Sequence, residues 1–178
     1  MKRTIKKIAI LGSGVMGSRI ACLFAGAGVQ VLLLDLASPA NSEDVQKPAD
    51  KNNIVNDALS AALKSNPSPV YTKKTADLVS TGNFNDNLQE INSCDWVMEV
   101  VVERLDIKQS IFAEVEKYRK PGTLITSNTS GIPIHMLADG RSDDFKSNFC
   151  GTHFFNPDRK STRLNSSHPR LSRMPSSA

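Results

Sequence analysis

Two groups of residues in this chain could do chemistry: a histidine near its end and a glycine cluster near its beginning. His153 sits in the run Gly151-Thr152-His153-Phe154-Phe155-Asn156-Pro157. Imidazole titrates close to physiological pH, so it can take up and return the proton of a hydroxyl group, as an alcohol-oxidising enzyme requires while hydride leaves the same carbon. A histidine between packing residues is also a common hydrogen-bonded core residue, and on its own His153 leaves both readings open. The second group, Gly12-Ser13-Gly14-Val15-Met16-Gly17, directly follows a short apolar run and opens a helical pattern. In that context the first glycine permits a tight turn, the second lets backbone approach a pyrophosphate, and the third allows close packing of helix on strand. The helix amides, including those of Val15 and Met16, then face the anion.

Asp35 ends the next apolar run, 18 residues beyond Gly17. An acid there can accept hydrogen bonds from the adenosine ribose hydroxyls. Its charge opposes a 2′-phosphate and Leu36 beside it offers no compensating cation, so these residues favour NAD over NADP. The same glycine fingerprint serves FAD. A turn that binds nothing, with Asp35 as an ordinary strand-end residue, is the bland alternative.

The elements that must hold these groups follow from the periodicity of the chain. Ile8 to Leu11 is a continuous apolar run, as in a strand buried on both faces, followed by a helix over 15–25 and a second strand over 29–34. After a polar stretch, Ile54, Val55, Ala58, Leu59, Ala62 and Leu63 share one helical face, and Asn66-Pro67-Ser68-Pro69 ends that helix. Trp96 to Val102 reads as a buried strand, Leu105 to Tyr118 as a helix, and Thr123 to Ser127 as a strand after the Pro121-Gly122 turn. A last strand spans Phe149 to Phe155. Strands alternating with helices predict an α/β fold: a Rossmann-type doubly wound, mostly parallel sheet with helices on both faces.

Composition bounds what else the chain can be. From Asp158 to Ala178 there are six serines, five basic residues and one acid, with no Val, Ile, Phe, Tyr or Trp. Such a stretch buries too little apolar surface to offset its ordering entropy and is expected to be disordered. It also resembles a translated sequencing-library adapter, so residues 158–178 are set apart as an artefactual tail and residues 1–157 are read as one domain. The whole chain carries 22 Lys and Arg against 18 Asp and Glu, but residues 1–157 carry 17 of each. That balance gives no basis for nucleic-acid binding. No run reaches the length of a membrane span, so membrane insertion is not expected. Cys22, Cys94 and Cys150 form no CxxC pair, which suits buried packing residues in a reducing cytoplasm. His135 and His168 carry no chemical signal.

Four ordered stretches, Gly12 to Gly17 with Asp35, Met98 to Gln109 (MEVVVERLDIKQ), Ser127 to Gly131 (SNTSG) and Gly151 to Pro157 (GTHFFNP), together resemble the NAD-binding domain of the 3-hydroxyacyl-CoA dehydrogenases of fatty acid β-oxidation. The likeness covers residues 5–157 and is greatest to the bacterial long form, where this domain is part of a larger polypeptide. The resemblance implies NAD as cofactor, a 3-hydroxyacyl-CoA substrate, and a homodimer in the intact enzyme. It implies that His153 is the acid/base on the 3-hydroxyl, that Ser130 hydrogen-bonds the substrate oxygen, and that Asn156 holds cofactor and substrate in register. Glu103, Lys108 and Asn128 fall on the cofactor side. From the residues alone, Glu103 and Lys108 could be a solvated charge pair at a helix start, Ser130 an N-cap, and Asn156 a turn residue before Pro157. The family's helical second domain, with the glutamate that pairs with its histidine, has no counterpart here. Loss of an orienting carboxylate of this kind costs on the order of 10⁴ in turnover, so this chain is expected to bind NAD weakly and turn over little. A short-chain 3-hydroxybutyryl-CoA dehydrogenase and a non-catalytic NAD-binding protein are the alternatives. The hydroxyisobutyrate and sugar-acid dehydrogenases share the glycine start but use a lysine, and HFFNP argues against them.

Overall fold

Among the described residues, six short strands form one parallel sheet, and its order places the glycine turn at the centre. The computed structural model describes residues 3–39, 50–65, 69 and 73–154. In chain order the elements are β1 (Lys7–Leu11), α1 (Val15–Gly26), β2 (Gln30–Asp35), α2 (Asn53–Leu63), α3 (Lys73–Ala76), β3 (Val79–Asn83) and α4 (Phe84–Asn87). A 3₁₀ turn over Leu88–Ser93 then leads to β4 (Trp96–Glu99), α5 (Leu105–Tyr118), β5 (Leu124–Ser127), α6 (Ile134–Leu137), α7 (Asp143–Ser147) and β6 (Phe149–Gly151). The strand order is β3-β2-β1-β4-β5-β6, and every neighbouring pair is parallel. The direction of winding reverses between β1 and β4. In open α/β sheets the crevice outside the carboxyl ends of the strands at such a switch point is where ligands bind.

The sheet is buried on both faces, which is why its central strands read as unbroken apolar runs. On one face Ile8, Ile10, Val31, Leu33 and Met98 pack with Ile20, Ala21 and Ala25 of α1 and Val55 of α2. On the other, Ala9, Leu11, Leu32, Leu34 and Val97 pack with Leu88, Ile91 and Val115. A third cluster centres on Phe112, whose ring meets those of Phe145 and Phe149 edge-on at 5.6 and 5.1 Å.

Several expectations shift at their ends. The strand expected to run to Val102 stops at Glu99, because the Val101 N–H donates to the Glu99 carboxylate (2.6 Å) instead of to a neighbouring strand. The strand expected over 149–155 ends at Gly151, since the Phe154 N–H turns to the Asn128 side chain. Cys22 and Cys94 are buried as expected, but Cys150 is exposed on the edge strand. Of the face expected to pack on α2, Val55 and Ala62 are buried as expected, whereas Ile54 is 39% exposed. Asn66, Pro67, Ser68, Phe155, Asn156, Pro157 and residues 158–178 lie outside the described residues.

Candidate functional site

Four loops meet at the carboxyl end of the sheet, and each carries residues singled out in the sequence. The first joins β1 to α1. Gly12 has φ +104°, and a Cβ there would sit 2.7 Å from the Val100 carbonyl oxygen, so only glycine can make this turn against the loop after β4. A Cβ on Gly17 would collide with the Gly12 carbonyl oxygen, which lets α1 start hard against β1. Gly14 differs: a Cβ there would meet nothing within 4 Å, so its backbone borders open space, and among the described residues no side chain caps α1. The first-turn amides of Val15, Met16 and Gly17 precede the i to i−4 ladder, which begins with Ser18 N–H to the Gly14 carbonyl, so a helix start of this kind fits a pyrophosphate. A cleft of about 250 Å³ opens beside them, lined by Ser13, Gly14, Val15, Arg19, Ala58 and Ser65 among others.

Asp35, at the end of β2, is held beside this turn. Its Oδ2 accepts from both the N–H and the hydroxyl of buried Ser13, each at 2.5 Å, and its Oδ1 accepts from the Leu36 N–H at 2.7 Å. A carboxylate has about four acceptor sites. Three are taken, which leaves one on Oδ1 for a ribose hydroxyl where the sequence reading expected Asp35 to serve both. Ser13 was not singled out in the sequence, because an interior position of a glycine motif carries no visible partner.

The loop after β4 is built on buried charge. Glu99 is fully buried; its Oε1 accepts from Lys108 Nζ at 2.7 Å, and its Oε2 accepts from the Ser127 hydroxyl. Lys108, on the first turn of α5, also donates to the Val101 carbonyl at 3.2 Å and lies 3.4 Å from Glu103 Oε2. Lys108 is 1% exposed, so the solvated charge pair that the sequence left open is not what forms. Removing one partner of such a buried pair leaves an uncompensated charge, at a cost of about 3–5 kcal/mol. Glu99 and Ser127 are functional candidates that sequence reasoning missed. The only signal was an acid inside an apolar strand nine residues before a lysine.

Glu103 reaches the third loop, after β5. Its Oε1 accepts from the Thr129 hydroxyl and from the N–H groups of Ser130 (2.9 Å) and Gly131 (2.8 Å). Partial burial pushes its carboxyl up, but the bonds from Thr129, Gly131 and Ser130 and the nearby Lys108 ammonium outweigh that and hold it at about 2. Ser130 is exposed, and it is not an N-cap: Pro133 occupies that position on α6.

The fourth loop carries His153. The Phe154 N–H donates to Asn128 Oδ1 at 2.8 Å, and the Thr152 N–H to the Ser127 carbonyl at 2.9 Å, so the histidine segment is fastened to the loop that carries Ser130. Phe154 turns inward against Phe24, with ring centroids 6.1 Å apart, while His153 is exposed. Asn128, expected on the cofactor side, thus uses its carboxamide oxygen to hold this segment.

This fold and crevice define a dinucleotide-binding domain of the doubly wound class. The family model described as 3-hydroxyacyl-CoA dehydrogenase, NAD binding domain, matches residues 7–163. The chain belongs to that family, and its cofactor is NAD. It is 43% identical over 170 residues to a probable 3-hydroxyacyl-CoA dehydrogenase of Bacillus subtilis, covering 89% of this chain and 21% of the relative. It is 43% identical over 155 residues to a probable 3-hydroxyacyl-CoA dehydrogenase of Deinococcus radiodurans, covering 87% of this chain and 43% of the relative. Among solved structures, 3-hydroxybutyryl-CoA dehydrogenase of Escherichia coli K12 superposes with a TM-score of 0.62 at 28% identity, covering 87% of this chain and 30% of that one. The chain therefore spans less than half the length of these relatives. Among the described residues, no helix is long and apolar enough to cross a membrane.

Proposed function

We propose that this chain is the NAD-binding part of an L-3-hydroxyacyl-CoA dehydrogenase, which oxidises 3-hydroxyacyl-CoA to 3-ketoacyl-CoA in fatty acid β-oxidation. The observation that carries this reading is the fastening of the exposed His153 segment to Asn128, at the same end of the sheet as the glycine turn. Bound NAD supplies the hydride acceptor for C3 of the substrate. His153 takes the 3-hydroxyl proton, and Ser130 donates a hydrogen bond to the same oxygen. Asn156, which lies outside the described residues, holds substrate and cofactor in register. On the cofactor side, Gly12, Gly14 and Gly17 with the amides of Val15 and Met16 cradle the pyrophosphate, and Asp35 takes a ribose hydroxyl. Glu103, Lys108 and Asn128 build the nicotinamide end. The intact enzyme is a cytoplasmic homodimer, a reading that rests on the family resemblance and on the free thiols Cys22, Cys94 and Cys150.

The test joins residues 1–157 to the helical carboxyl-terminal part of a relative and follows NADH formation with 3-hydroxyacyl-CoA substrates of graded length. Turnover should depend on the acyl-CoA and fall about 10²- to 10⁴-fold in His153→Gln, the usual contribution of a general base. A folded chimera that binds NAD and turns over nothing contradicts this reading and favours a non-catalytic NAD-binding protein. Likeness to the Escherichia coli enzyme supports a second reading, a 3-hydroxybutyryl-CoA dehydrogenase. Activity confined to the shortest substrate would select it.

A further inference from the structure

We propose that Glu99 is a positioning residue of the cofactor site: from inside the sheet it fixes both walls of the crevice, the loop after β4 and the SNTSG loop after β5. Two separate routes lead from its carboxylate to the second wall. By the first, Oε2 accepts from the Ser127 hydroxyl, whose oxygen in turn accepts from the Thr129 N–H at 3.3 Å. By the second, Oε1 binds Lys108 Nζ at 2.7 Å, Lys108 stands 3.4 Å from Glu103 Oε2, and Glu103 Oε1 holds the Thr129 hydroxyl and the Ser130 and Gly131 amides. The near wall is fixed by the same two groups: the Val101 N–H donates to Glu99 Oε1 at 2.6 Å, and the Val101 carbonyl accepts from Lys108 Nζ at 3.2 Å.

The chemistry explains why an acid rather than an apolar residue ends β4. Charge-assisted hydrogen bonds are short and directional. A carboxylate with four acceptor sites can serve the Lys108 ammonium, a hydroxyl and an amide together, which no aliphatic side chain could. Glu99 is fully buried and touches neither solvent nor the crevice, so whatever it does for the site it does through Ser127, Lys108 and Glu103. The inference rests on the dehydrogenase reading only for what the two walls are for; the fixing of the walls is a property of this chain alone.

The experiment measures amide hydrogen exchange in the full chain and in Glu99→Gln, and NAD affinity by titration well below the melting temperature. Glu99→Gln should speed exchange at Val101, Thr129, Ser130 and Gly131 by about tenfold or more while the β1 and β2 amides keep their protection, the pattern of local rather than global opening. NAD affinity should fall in step. Unchanged exchange at those four amides, or an equal rise across the whole sheet, overturns the proposal, as does undiminished NAD affinity in the variant. Should Glu99→Gln not fold, Ser127→Ala removes one route without stranding a buried charge, and the same local acceleration is expected at Thr129. If the parent chain binds no NAD while the local loosening is seen, the cofactor reading fails and the positioning of the two walls stands.

Discussion

Glu103 shows how one side chain ties the site to pH. Its carboxyl lies at about 2 against an ordinary 4.5, so the bonds it makes to Thr129, Ser130 and Gly131 favour the folded state when it is ionised. A carboxyl lowered on folding contributes stability that is fully present above its unfolded value and is lost as pH falls toward its folded one. Melting temperatures of the parent and Glu103→Gln should therefore differ by a constant amount above pH 4.5 and converge as pH falls toward about 2. A gap independent of pH through that window would contradict the assignment. Ser13 makes a second residue-scale case. Its hydroxyl occupies an acceptor site on Asp35 that a ribose could use. Ser13→Ala frees that site, and NAD affinity measured by titration should rise about fivefold, the worth of roughly 1 kcal/mol for one hydrogen bond. A loss of affinity would mean that Ser13 orients Asp35 rather than competing for it.

Among the elements, the first turn of α1 is the most constrained. A methyl group on Gly17 must displace the Gly12 carbonyl or push α1 off β1, because the atom it meets is backbone. Gly17→Ala should cost about 1–3 kcal/mol, the range for overpacking a filled site, and denaturant unfolding should show it as a lower midpoint. An unchanged midpoint would mean that helix and strand are not in close contact there. The same elements explain what could be read in the sequence. Helix α5 begins at Leu105 and ends at Tyr118 as its periodicity and the following Pro121-Gly122 turn imply. The double-sided burial of β1 and β2 makes their apolar runs visible. Strand β3 (VSTGN) was missed, because as an edge strand it buries only Gly82 and Asn83 and carries no apolar alternation. Helices α6 and α7, of four and five residues, are too short to display a period. In the site, glycines and the histidine were legible by type and spacing, whereas Glu99, Ser127 and Ser13 act through partners distant in sequence: Glu99 lies 28 residues from Ser127 and Ser13 lies 22 from Asp35. No local pattern encodes such pairs.

At the scale of the whole molecule, all four site loops leave the sheet at the carboxyl ends of parallel strands, on both sides of the winding reversal between β1 and β4. That shared placement brings residues far apart in the chain, Gly12, Asp35, Glu103, Ser130 and His153, to one edge of the sheet. The measurement that tests this most directly is titration of the full chain with NAD and with NADP, in the parent and in Asp35→Ala. Saturable NAD binding is expected, weak in absolute terms and stronger than NADP. It should weaken about tenfold or more in Asp35→Ala, as for loss of a hydrogen bond to a charged group worth about 1.5–3 kcal/mol. No saturable NAD binding by the folded chain, or equal affinity in Asp35→Ala, would contradict the account.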